Sequence, residues 1–161
     1  MKKIFLVILS ALIISLNSVC FGKAPETEEI QTITEIGMLS NLKKYDEALT
    51  KCNEAIKKYP KNPELYYWSG AIKSETGEYK SAIEDFDKAL KLNPNNGSIY
   101  VMRGIAKSEI QDFDNAIADF GKALQINPKD PSAYSMRAVV RMELGDYEGA
   151  NSDLEKANKI Y

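Results

Sequence analysis

Three prolines, Pro60, Pro94 and Pro128, stand 34 residues apart, and most other landmarks of the chain keep that spacing. Ala48, Ala82, Ala116 and Ala150 form one column, and Ala55, Ala89, Ala123 and Ala157 a second. Aromatic residues recur at Tyr45, Tyr79, Phe113 and Tyr147, and again at Tyr66, Tyr100 and Tyr134. Small residues occupy Gly70, Gly104 and Ala138, while Cys52, Phe86, Phe120 and Leu154 share a further column. Such a period marks a stack of similar supersecondary units, none of which buries its apolar face alone. The chain is therefore expected to grow by addition of units along one axis rather than around one central core.

Each unit reads as two helices. Pro63 opens a helical stretch, as proline does at a first turn, and Thr76-Gly77 closes it. A further stretch from about Tyr79 to Leu92 carries Ala82, Ile83, Phe86, Ala89 and Leu90 on one face. Asn93-Pro94-Asn95-Asn96-Gly97 then interrupts the chain, because proline cannot continue a helix and Asn and Gly suit turns. No segment keeps up the period-two alternation of a strand. The expected fold class is all-α.

The columns resemble the tetratricopeptide repeat, a helix–turn–helix unit. That pattern has a large aromatic in its fourth position, a small residue in the eighth and an aromatic in the seventeenth. Alanines follow in the twentieth and twenty-seventh, and proline in the thirty-second. The units here are 29–62, 63–96, 97–130 and a shortened 131–161. The resemblance implies an α-solenoid. The first unit departs from the pattern, with Thr32 in place of the aromatic and Ile36 in place of the small residue, although Ile30, Ile33, Ile36 and Leu39 still make an amphipathic face. End units of a stack are expected to be atypical. Close approach at Gly70, Ala82 and Ala89 leaves volume for Phe86 and Phe120, and Cys52, in their column, is expected to be a shielded core filler.

Charged columns add a prediction about stacking. Arg103 and Arg137 occupy the seventh position, and Asp85, Asp119 and Asp153 share a column in the second helix. Pairing across the unit boundary, Asp85 with Arg103 and Asp119 with Arg137, would fix the register of neighbouring repeats. Lys73, Lys107 and Arg141 in the eleventh position must snorkel or pair.

The resemblance also implies a concave face lined by the first helix of each unit, which in this family binds peptides or helices. Its positions carry Tyr67, Val101 and Ser135, then Trp68, Met102 and Met136, then Ala71, Ile105 and Val139, with Ser74, Ser108 and Met142 beyond. The implied groove is mainly apolar, with a Tyr/Trp end and adaptable methionines. It lacks the Lys, Arg and Asn set with which family members clamp acidic chain ends. An alternative use of Trp68, Met102 and Met136 is packing against the preceding unit. Tyr67, Val101 and Ile105 are the expected contact residues. At the chain's end, Leu154, Ile160 and Tyr161 have no following unit, which makes this end a candidate for self-association.

Residues 1–22 stand apart. Lys2 and Lys3 precede the apolar run Ile4–Ile14, and small residues surround Cys20 and Gly22, the layout of a secretory signal. Cleavage after Gly22 would leave an exported, periplasmic or extracellular protein with Cys52 as its one cysteine. An uncleaved anchor or a lipid on Cys20 are the alternatives, and only they would tie the chain to a membrane. The chain has no histidine, which removes His-dependent triads and His-ligated metal. A net charge of −2 argues against a nucleic-acid partner. No phosphate-cradling loop, nucleophile elbow or metal-ligand spacing is present, so no catalytic residue, metal or cofactor is expected. The expected function is non-enzymatic binding of an unidentified protein or peptide, with a self-associating envelope subunit as the alternative.

Overall fold

The structure, a computed structural model, describes residues 25–160, so the segment 1–22 expected to be a secretory signal, with Cys20, and Tyr161 lie outside the described residues. Among the described residues, eight helices follow one another in four antiparallel pairs. The first unit pairs α1 (Pro25–Asn41) with α2 (Tyr45–Lys58), and the second pairs α3 (Pro63–Glu75) with α4 (Tyr79–Leu92). The third pairs α5 (Gly97–Glu109) with α6 (Phe113–Ile126), and the fourth α7 (Pro131–Glu143) with α8 (Tyr147–Asn158). No strand occurs among the described residues. Each helix touches the next, and α1, α3, α5 and α7 also touch one another in turn. Among the described residues the second helices make no such contacts with one another. The stack therefore curves, with the first helices inside and the second helices outside.

Local chemistry sets the helix ends. Asn62, Asn96 and Asp130 cap α3, α5 and α7, their side-chain oxygens accepting the amide protons of Glu64, Ser98 and Ser132 at 2.8, 3.1 and 2.9 Å. The turn between paired helices holds one residue in the left-handed region in every unit. Gly77 and Gly145 take φ of 83° and 78°, but Lys43 and Gln111 sit at 58° and 62°. The stop is thus a property of the repeat, with glycine only its least strained occupant.

Neighbouring units join through two columns of the second helix. Leu49 and Ile56 share a cluster with Leu65 and Ile72, and Ile83 and Leu90 with Ile99 and Ala106. Ile117 and Leu124 do the same with Ala133 and Val140. In α8 these columns carry the polar, exposed Asn151 and Asn158 in place of apolar residues. The apolar end expected from the sequence is correspondingly smaller, since Leu154 and Ile160 are half-buried.

Inside each unit, the eighth position and the Cys52/Phe86/Phe120/Leu154 column trade volume. A Cβ on Gly70 would lie 2.8 Å from the Phe86 ring, and one on Gly104 would lie 2.8 Å from Phe120. Where the ring is replaced by Leu154, the partner is Ala138, and where it is replaced by Cys52, the partner is Ile36. Close packing demands this reciprocity. Cys52 is fully buried and its thiol donates to the Leu65 carbonyl at 3.0 Å. Burial, aided by the charge of Asp85, pushes this thiol up to about 12. In a Cys20→Ser background, a thiol reagent is expected to label Cys52 only as the chain opens, with full labelling in denaturant. Rapid stoichiometric labelling of the folded protein would contradict this placement.

Candidate functional site

The charged columns form a row of internal struts. Asp153 is wholly buried and accepts two hydrogen bonds from Arg137, at 2.8 and 2.7 Å, and one from Arg141 at 2.8 Å. Asp119 takes the same two-pronged grip from Arg103, at 2.8 and 2.6 Å, and pairs with Lys107 at 2.8 Å. In the second unit Ser69 donates to Asp85 at 2.7 Å and Lys73 reaches it at 2.6 Å. Every one of these contacts lies within a single unit. The expected pairs Asp85–Arg103 and Asp119–Arg137 are not formed.

Helical geometry explains the correction. The seam to the next unit uses the columns of Ile83 and Leu90, and Asp85 lies two residues beyond Ile83, about 200° around the helix. Its carboxylate turns back to the first helix of its own unit. One strut does cross a boundary, from Arg103 to Asp87 of the preceding unit at 2.5 Å. In the first unit the polarity is reversed, with Glu35 on α1 and Lys51 on α2 at 2.9 Å and both more exposed.

Electrostatics follows the same layout. Burial alone would raise the Asp85 pKa, but the hydrogen bonds from Lys73 and Ser69 and the charge of Lys73 hold it below its ordinary value. Burial likewise opposes the charge on Arg103, and Asp119 and Asp87 more than restore it. Asp153 holds Arg137 above the ordinary guanidinium value. These cations are thereby committed to the interior and unavailable to a partner.

The inner face is narrower than the sequence implies. Trp68 belongs to the cluster of Ile36 and Cys52, with its ring close against Gly37 of α1, and the Tyr67 ring stands edge-on to it at 5.7 Å. Met102 joins the cluster of Ala82 and Phe86, and Met136 that of Val101 and Phe120. This column therefore packs against the preceding unit. Val101 is 7% exposed, so the sequence-based choice of it as a contact residue is corrected: the following unit covers it.

Ala71, Ile105 and Ser135 are half-buried, whereas Val139 and Met142 are 47% and 40% exposed. Hollows open at both rims. One of about 310 Å³ is lined by Trp68, Ala71 and Glu75 beside Lys43 and Tyr45. Another of about 440 Å³ is lined by Tyr67, Glu64 and the asparagines Asn62, Asn93 and Asn96, of which Asn93 and Asn96 read in the sequence only as turn residues. The described residues contain no group of side chains arranged to hold a metal ion, and no described helix is long and apolar enough to cross a membrane.

Residues 36–62 and 63–96 each match a family described as tetratricopeptide repeat, and residues 106–145 match one described as TPR repeat. The chain is a tetratricopeptide-repeat protein. Solved structures with this fold bear out the solenoid architecture. A crystal structure of MamA aligns with a TM-score of 0.76 at 20% identity, covering 86% of this chain and 81% of that one. MamA from residue 41 to its end, from Desulfovibrio magneticus RS-1, aligns at 0.75 with 19% identity, covering 82% and 75%. TTC0263, a thermophilic TPR protein in Thermus thermophilus, aligns at 0.74 with 22% identity, covering 82% and 74%. At these identities the likeness is one of fold. No curated protein matches the sequence significantly. As a tetratricopeptide-repeat array, this solenoid has the architecture of a protein-interaction scaffold.

Proposed function

We propose that this solenoid is a non-enzymatic scaffold that seats a peptide or helix of another exported protein against its inner face. The observation that carries the reading is the solvent-open apolar strip of α5 and α7, where Ile105, Val139 and Met142 remain uncovered to differing degrees. The inner face is continuous through α3, α5 and α7, because these helices touch in turn. A rigid concave surface built on helices limits the ordering cost on the scaffold side and leaves apolar burial as net affinity.

The N-terminal layout of Lys2, Lys3 and Ile4–Ile14 supports export with cleavage after Gly22, which would place the partner in the periplasm or outside the cell. One experiment tests both parts. A photo-reactive residue at Val139 or Ile105 is expected to yield a crosslinked partner in intact cells, whereas one at Glu84 on the outer helix α4 is not. Mass spectrometry of the product reads the processed N-terminus. Crosslinks from Glu84 alone would overturn the groove assignment, and a product retaining Lys2 would overturn cleavage.

A further inference from the structure

The last residue of each inner helix in the second, third and fourth units is a glutamate: Glu75 ends α3, Glu109 ends α5 and Glu143 ends α7. All three are exposed. A carboxylate there faces the negative end of the helix macrodipole, the one terminus at which cations are favoured. The repeat thus places like charge three times where local electrostatics opposes it. Glu75 accepts a hydrogen bond from the Tyr45 hydroxyl of the preceding unit at 3.4 Å, and the charge of Glu109 raises the pKa of Tyr79 in the unit before it. Glu143 follows Phe113, which has no hydroxyl to offer.

Each glutamate lies four residues beyond the groove position on its own helix, Ala71, Ile105 or Val139. The two side chains therefore share a helix face. Val139, Met142 and Glu143 sit at i, i+3 and i+4, so the exposed apolar strip runs directly into the acidic edge. Exposed Ile110 and Leu144 follow in the turns, at 37% and 49%. The basic residues of the same helices, Lys73, Lys107 and Arg141, are held inward by Asp85, Asp119 and Asp153 and do not neutralise this edge.

We propose that the inner groove selects a partner segment bearing an apolar stripe flanked on one side by lysine or arginine, the cations lying over Glu75, Glu109 and Glu143. This inference rests on the groove reading above. The acidic edge fixes which way round the segment lies, since the opposite rim is mixed in charge, with asparagines beside Glu64 and Lys61. It also disfavours segments whose flank is acidic, in keeping with the missing carboxylate clamp.

The test uses the full chain and three synthetic helical peptides that share one leucine stripe and differ only in a lysine, glutamine or glutamate flank. Fluorescence anisotropy reads affinity. The lysine peptide is expected to bind about tenfold tighter than the glutamine peptide at low salt, and the glutamate peptide weakest. That advantage should collapse in about 1 M salt, where the screening length falls to about 3 Å. It should also vanish in the Glu75→Gln/Glu109→Gln/Glu143→Gln variant, whose exposed substitutions leave the core intact.

Equal affinity for the lysine and glutamine peptides, or a preference that survives in the triple variant, overturns the proposal. If that equal affinity is lost in Val139→Asp/Met142→Asp, the groove reading stands without the charge selection. Absence of binding by all three peptides overturns the proposal, and the in-cell crosslinks from Val139 then decide the groove reading separately.

Discussion

Replacing Asp153 by alanine is expected to destabilise the protein by about 3–5 kcal/mol, the cost of stripping the partner from buried charge. Asp153 is wholly buried, and its removal strands two guanidinium groups, Arg137 and Arg141, whose side chains are only 15% and 24% exposed. Neither has an equivalent carboxylate nearby. Arg141 retains Asp146 at 3.5 Å, but that contact is half in solvent. The reversed pair of the first unit supplies the control. Lys51→Ala breaks a bridge whose partners are 40% and 54% exposed, so the loss should be about 0–1 kcal/mol. Urea denaturation of the two variants checks the contrast, and comparable losses would show that burial does not set the worth of these struts. Because units of a solenoid unfold semi-independently, the Asp153→Ala loss should appear first in the fourth unit, as early hydrogen exchange in α7 and α8.

The second large effect concerns volume. Phe120→Ala should cost about 3–5 kcal/mol, since a fully buried ring leaves a cavity between α5 and α6. Gly104→Ala runs the opposite way, overpacking the same site. Its Cβ would meet three Phe120 ring atoms at 2.8, 3.0 and 3.1 Å, and a wholly buried ring has little room to yield. The overpacking penalty is about 1–3 kcal/mol, against a gain of about 1 kcal/mol in helix propensity. The net expectation is a modest loss. Adding Phe120→Leu to Gly104→Ala rebuilds the pair found in the fourth unit, Ala138 with Leu154, and should recover stability relative to Gly104→Ala. A double-mutant cycle by chemical denaturation measures this as a favourable coupling. Strict additivity would show that the two columns do not share one space.

The fold was legible because its determinants are repeated. A period of 34 residues, alanines in two columns and proline in a third state the helix pair and its stacking independently in each unit. Cys52 was legible for the same reason, since its column made it a substitute for Phe86. The capping role of Asn62, Asn96 and Asp130 was also open to a sequence reading, three residues each heading a helix. The pairing of charges was not. A column of aspartates and a column of arginines fit both an intra-unit and an inter-unit match, and the spacing alone does not choose between them. Ser69 stands in the column of Arg103 and Arg137, and its hydroxyl serves Asp85 together with Lys73. Val101 shows the same limit on the inner face. Its place in the repeat put it in the groove, but the bulk of the following unit buries it.

The sequence by itself determined that the chain forms helix pairs and which columns of side chains meet inside them. Periodicity and side-chain volume are local quantities that recur in every unit. Only the tertiary structure decided which carboxylate faces which cation and which groove residues stay in contact with water. Both depend on the rotation of one helix about its axis relative to its neighbours, and a turn of one or two residues there exchanges a partner within the unit for one across the seam.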